Sequence, residues 1–341
     1  MVPLDAIFEY RLPGLLIHRD LFGQRLDVPG QQAWIQFPDD DYGQDGGPLF
    51  RSSGVVAGWN EDRSGKGRTA IVINAMLVGI PLELDLDPAS PEKEVVQTAL
   101  KDASSRAREV FVGLTDWLRV DREHFWFASK ATLATAHEVA GALFDREGNQ
   151  LHHGYVITTG SGGKVKIYKH LLTHVISRVS ALDTRGQDHV LSTDDAKAAL
   201  DLVARRTEPE LWDLLLADAY SLVGLHYSVV LAAIACETAV KTVLSESSTQ
   251  EQKELVELLL SSPRDYSLAA RSLFDEPCRI ILGRSLRDDD RTLYKRIVRL
   301  FEDRNRIVHK MAVNEAELDR LRDDILAAGD AIDWLMKHKQ Q

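Results

Sequence analysis

Residues 211–244 read LWDLLLADAYSLVGLHYSVVLAAIACETAVKTVL, and their periodicity decides what the second half of the chain can build. Apolar and small residues recur every three or four positions, the spacing of a helix that buries one face. Ahead of the stretch, Thr207-Glu208-Pro209-Glu210 gives a cap followed by proline in the first turn, which ends the preceding helix near Arg206. The pattern predicts one helix over 208–246. Its inward stripe runs through His226, Val230, Ala233, Glu237, Val240 and Leu244, so one carboxylate stands on an apolar face.

Helical periodicity continues to the end of the chain, over 249–261, 264–284, 288–313 and 315–338. It begins at 194–206, after Ser192-Thr193-Asp194. Residues 191–341 are therefore read as an all-helical bundle. Residues 1–190 follow a different grammar. Runs such as AWIQF at 33–37 and TAIVINAML at 69–77 are rich in β-branched residues and bounded by Gly, Asp and Pro clusters. A hairpin is expected with its turn near Gly148-Asn149. One clear helix, 91–118, opens with Ser90-Pro91-Glu92 and carries Val95, Val96, Leu100 and Val110. The fold class is α+β: a strand-rich domain with one or two helices, then a helical domain. The junction is placed between Asp183 and Thr193.

A chain of 341 residues, 44% hydrophobic, is long enough for two cores. The net charge of −11 argues against a protein that coats nucleic acid through overall charge, but leaves room for a local basic pocket. Two cysteines, Cys236 and Cys278, make neither a disulfide framework nor a zinc pattern and are read as buried thiols. The N-terminal MVPLDAIFEYRLPG lacks a basic region followed by an apolar run. No segment offers the ~18 uninterrupted apolar residues of a membrane helix. The expectation is a soluble cytoplasmic protein without a membrane partner.

The helix over 288–313 contains FEDRNRIVHK at 301–310. Projected at ~100° per residue, Leu293, Ile297, Leu300, Phe301, Val308 and Met311 form one apolar stripe. Arg304 falls inside that stripe, with Asn305 and His309 along its edge. Glu302, Asp303, Arg306 and Lys310 point elsewhere. A guanidinium stays charged, so an inward Arg304 requires a partner or a wet cleft. Glu237 is the expected partner. Spacing alone is a weak signal: Arg119 and His124 repeat it, and that pair is read as an accident at the edge of the strand-rich region.

Arg304-Asn305 followed by His309 resembles the Arg-x4–6-His signature of the HEPN superfamily, in which a polar residue, often asparagine, follows the arginine. Residues 211–244, with Ala235-Cys236-Glu237, are similar to that family's first long helices. Asn314-Glu315-Ala316-Glu317 and Ala331-Ile332-Asp333-Trp334-Leu335 resemble its closing helix. The likeness covers about residues 205–338; the first 190 resemble no family. It implies a metal-independent endoribonuclease in which the 2′-hydroxyl of RNA attacks the adjacent phosphorus. His309 would serve as acid or base, Arg304 would hold the phosphoryl oxygens, and Asn305 would orient the ribose or the imidazole. Glu237 would support Arg304, while Arg306 and Lys310 would steer the RNA backbone. No metal or other cofactor is required. The resemblance further implies a homodimer through the motif helices and a setting in toxin–antitoxin or anti-phage systems, with an antitoxin or defence protein as partner. The alternative is a non-catalytic HEPN-like module that dimerises or binds, with Glu237–Arg304 structural.

Other candidates are weaker. TGSGGKV at 159–165 lacks the first glycine and the Ser/Thr of a phosphate-binding loop and is read as a hairpin tip. His170 and His174 stand at metal-binding spacing without a third ligand. DDDYG at 39–43 is read as a solvated turn. Trp117, Trp126 and Trp212 are read as core rather than base-stacking platforms.

Overall fold

In the computed structural model of the protein, β1 (Val2–His18) and β5 (Thr69–Leu84) pair antiparallel from Val2 opposite Leu84 to His18 opposite Ala70. The structure describes residues 2–38, 56–61, 69–84, 93–121, 138–145, 150–155, 190–205, 207–220, 225–261, 272–310 and 317–339. Between Arg11 and Leu15 the register shifts, and Leu12, Pro13 and Gly14 fill the irregularity. Proline has no N–H for a ladder, so a bulge is where a long strand can hold one. β2 (Arg25–Asp27), β3 (Trp34–Gln36), β4 (Val56–Glu61), β6 (Glu138–Asp145) and β7 (Gln150–Tyr155) complete a seven-stranded sheet. Its order is β2-β3-β5-β1-β6-β7, with β4 also on β5, and every pairing is antiparallel. β6 and β7 pair across residues 146–149, as the expected hairpin requires; its turn lies outside the described residues.

Helix α1 (Lys93–Asp121) covers one sheet face with Leu100, Ala103, Ala107, Val110, Phe111, Leu114 and Leu118, a three-and-four spacing. Opposite it, the alternate β1 residues Leu4, Ala6, Phe8 and Tyr10 share the same core. The Tyr10 ring stacks on Phe111 with centroids 4.3 Å apart. Near the end of α1, Arg119 is buried and sits 3.9 Å from buried Asp116. That arginine belongs to a helix, not to the margin of a strand region; His124 lies outside the described residues.

The expected junction near residue 190 is corrected here. The chain divides into two compact units between Glu208 and Pro209. Helix α2 (Thr193–Ala204) buries Ala196, Ala199, Leu200 and Val203 in the core of the sheet unit. Ser192 and Asp195 form a capping box at its start. Just before it, Leu191 exchanges backbone hydrogen bonds with β1, through His18 N–H at 2.8 Å and Leu16 C=O at 3.0 Å. Trp117 donates its indole N–H to the Thr207 carbonyl at 3.0 Å. A change from strand to helix periodicity marks a change of element, and the core continues past it.

The second unit holds α3 (Leu211–Tyr220), α4 (Leu225–Ser247), α5 (Gln250–Ser261), α6 (Glu276–Leu282), α7 (Leu286–Asp289), α8 (Arg291–Lys310) and α9 (Leu318–His338). The single helix expected over 208–246 is two, α3 and α4, and residues 221–224 lie outside the described residues. The helix expected over 264–284 is described only as α6, which ends at Gly283 with φ +73°. α4 is the central element. Ala232, Ala233, Ala235, Cys236, Ala239 and Val240 are all buried, and small residues let α3, α8 and α9 approach it closely. α4 is long and apolar enough to cross a membrane, and its buried side chains form the middle of the helical core. Cys236 Sγ donates to the Ala328 carbonyl of α9 at 3.7 Å. Both thiols are buried and unpaired as disulfides, and burial pushes Cys278 up to about 12. Trp212 is core, as expected; Trp126 lies outside the described residues.

Two consequences can be measured. A Cβ on Gly79 would meet the body of the Trp34 ring at 1.9 Å, directly across the β3–β5 pair. Gly79→Ala should therefore cost about 1–3 kcal/mol, read as a lower urea midpoint; an unchanged midpoint would contradict this packing. In the helical unit, burial pushes the Asp213 carboxyl up to about 6, with Glu210 and Asp333 adding to the effect. A raised folded pKa means stability present below the unfolded value near 3.8 and lost as pH rises through about 6. Asp213→Asn should raise the melting temperature at about pH 7.5 and leave it nearly unchanged at about pH 4. Equal effects at both pH values would be the contrary result.

Candidate functional site

Asp290 starts α8 by accepting hydrogen bonds from the backbone N–H of Thr292 at 3.0 Å and Leu293 at 2.9 Å. From there Ile297, Leu300, Phe301 and Ile307 turn into the core. The expected stripe differs at its end. Val308 is 53% exposed and Ile307 is buried in its place, while Met311 lies outside the described residues. Arg304 stands between fully buried Leu300 and exposed Val308, at the point where the stripe opens to solvent, and is itself only partly buried.

The flank of α8 that faces α9 is held by charge. Asp303, expected to point outward, is buried at 6% exposure and accepts from Arg306 at 2.7 Å and Arg320 at 2.8 Å. Asp324 of α9 has no exposed surface. Arg299 grips it with two hydrogen bonds, at 2.7 and 3.1 Å, and Arg320 adds a third at 3.0 Å. Glu317 closes the chain on Arg306 at 2.7 Å and Arg320 at 3.4 Å. The Arg306 hydrogen bond holds the Glu317 carboxyl below the usual carboxylate range. Three guanidiniums face three carboxylates, so the network is neutral. Sequence reasoning missed Asp303 and Asp324. The signal was available for Asp324, which sits three residues after Leu321 and four before Ala328 on the apolar ridge of α9.

Arg304 takes no part in this network. The expected Glu237–Arg304 pair does not form: Glu237, on the flank of α4 rather than its buried face, accepts from Lys241 one turn on, at 2.6 Å. His226, at the head of the expected α4 stripe, is exposed. Arg304 instead donates from Nη1 to Asn305 Oδ1 at 2.9 Å. Asn305 and His309 are both exposed and stand one turn apart on the same ridge. Helix geometry sets His309 about 7.5 Å further along the axis than Arg304 and about 140° around it. Asn305 and His309 thus share one exposed ridge at the end of α8, and Arg304 reaches that ridge through its hydrogen bond to Asn305. Arg306 is committed to Asp303 and Glu317. Lys310 is the last residue of α8, and its side chain lies outside the described residues, as do residues 39–43 and 159–165, His170 and His174.

Chemically, the end of α8 offers a permanent planar cation, an amide that orients it, and a solvent-facing imidazole. Among the described residues no three His, Cys, Asp or Glu side chains converge as a metal ion would require. Comparison of the chain with protein-family models, curated proteins and solved structures returns no match.

The network's burial predicts unequal mutational costs. Asp324→Asn should lower the unfolding free energy by about 1–3 kcal/mol, because it strips the charge that two guanidiniums were placed to meet. Arg322→Ala breaks an exposed pair with Asp319 and should cost below about 0.5 kcal/mol. Guanidinium denaturation of both variants checks the ranking; equal costs would refute it.

Proposed function

We propose that the helical unit is a metal-independent endoribonuclease of the HEPN type, with Arg304, Asn305 and His309 at its site. The observation that carries this reading is the contrast among the last three arginines of α8. Arg299 and Arg306 are bound to carboxylates, whereas Arg304 is held only by the neutral amide of Asn305, one turn before exposed His309. A cation left without a carboxylate is available to an anionic ligand. The binding-module alternative relied on Glu237 to explain Arg304, and Glu237 is occupied by Lys241.

In the proposed reaction the 2′-oxygen of a ribose attacks the adjacent phosphorus. Its proton passes to an imidazole, and the bond from phosphorus to the 5′-oxygen breaks. The 5′-oxygen leaves with a proton from an acid, and a 2′,3′-cyclic phosphate remains. One imidazole cannot accept and donate in the same step. A dimer with motif helices adjoining supplies two, with His309 of one protomer as base and His309 of the partner subunit as acid. The exposed end of the apolar stripe at Val308 supports such a seam. Arg304 meets the charge that develops on the phosphoryl oxygens, and Asn305 orients Arg304. Arg306, first considered as an RNA contact, acts instead through Asp303 and Glu317 as a positioning residue. The proposed setting is cytoplasmic, as a toxin or anti-phage effector with an antitoxin or defence partner. The sheet unit would restrain the nuclease or select its substrate.

The test is cleavage of total cellular RNA in EDTA. Arg304→Ala and His309→Ala should each lower the rate by about 10²-fold or more while the oligomeric state by light scattering stays that of the wild type. Undiminished cleavage by both variants overturns the assignment.

A further inference from the structure

α8 carries a second set of cations that the proposed chemistry does not use. Arg291, Lys295, Val298, Glu302, Asn305 and His309 are spaced four, three, four, three and four apart, so they form one ridge along the helix. Arg291, Lys295, Glu302, Asn305 and His309 are all exposed, and Val298 is partly so. Six arginines of this unit, Arg279, Arg284, Arg287, Arg299, Arg306 and Arg320, each contact a carboxylate. Arg291 and Lys295 contact none among the described residues. The chain holds 52 acidic against 41 basic side chains, so acid is not scarce. Two unmatched cations on one ridge, in such a chain, form a local positive strip against an acidic background.

We propose that this ridge is a seat for single-stranded RNA, continuing the strand from the Arg304 site toward the start of α8. The inference rests on the nuclease reading and adds the direction and extent of the substrate track. Lys295 lies about 15 Å along the axis from Asn305, and Arg291 about 21 Å. That length matches several phosphates of one strand rather than a single bound anion. Continuity with Asn305 and His309 favours a polymer that passes through the reactive site over an acidic protein docked beside it.

The experiment is fluorescence anisotropy of the full chain with a labelled 2′-O-methyl oligouridylate, which has no attacking hydroxyl and stays intact. Affinity is measured across a salt series. For single strands the slope of log K against log salt is about −0.7 per phosphate contact. The double variant Arg291→Gln/Lys295→Gln should flatten that slope by about 1.4. Arg284→Gln, which removes a cation already matched by Asp289, should leave it unchanged. An unchanged slope in the double variant, with its helical circular dichroism intact, overturns the track and leaves an acidic protein as the occupant of the ridge. A wild-type chain that binds no strand overturns both the track and the nuclease reading. Binding as predicted without cleavage of natural RNA keeps the track and removes the nuclease.

Discussion

A carboxylate with no exposed surface does not stay ionised by itself, and Asp324 is such a group. Its two oxygens are met by two hydrogen bonds from Arg299 of α8 and one from Arg320 of its own helix. This fixes the register of α8 against α9 more tightly than apolar packing would, because a slide of one residue would leave a buried charge unmatched. Asp303 and Glu317 extend the same constraint over the last turns of α8. The direction in which Arg304, Asn305 and His309 point is therefore set on the other side of the helix. A network that contributes little net stability as an ion pair still selects one rotation of α8 out of several that would bury its leucines and isoleucines equally well.

The sheet unit is organised by a different constraint, the length of β1 and β5. Two strands of that length twist, and the three-residue irregularity around Pro13 takes up the mismatch. On one face α1 and α2 share a core with alternate strand residues. Close approaches are met by removing side chains: Gly79 leaves room for the Trp34 ring, and Gly113 of α1 leaves room for Val203 of α2. That second contact ties α2 to the sheet unit and explains why the compact unit ends at Glu208 rather than where helical periodicity begins.

Much of this was legible in the sequence where one physical signal dominated. The β-branched run at 69–77, the apolar periodicity of α1, and the small-residue periodicity of α4 each mark their element correctly. The α+β class follows from them. What escaped was governed by contacts distant in sequence. The sequence between α3 and α4, SLVG, is as helix-compatible in composition as its flanks apart from one glycine, so periodicity alone runs the two helices together. Glu237 was assigned to Arg304 because both looked inward, yet a lysine one turn away satisfies it at lower desolvation cost. Projection sets Asp303 off the apolar stripe; only the placement of Arg320 on α9 makes its burial tolerable. Periodicity alone places side chains on a helix face, and charge partners then decide which edge of that face is buried.

The same partition bears on why Arg304 is exceptional. The α8–α9 network is balanced, three cations to three anions, so a fourth guanidinium brought into it would carry uncompensated charge into a half-buried site. Arg304 instead leans on an amide, which can accept a hydrogen bond without neutralising the guanidinium. A carboxylate in the place of Asn305 would hold the arginine equally well but would cancel its attraction for an anion. The choice of asparagine keeps the fork aimed and charged at once. On the core-facing side of the helix, burial ends at Val308, so that charge meets solvent instead of a sealed interior. Orientation without neutralisation is what a phosphate-binding arginine requires, and it is the property that distinguishes Arg304 from Arg299 and Arg306 on the same helix.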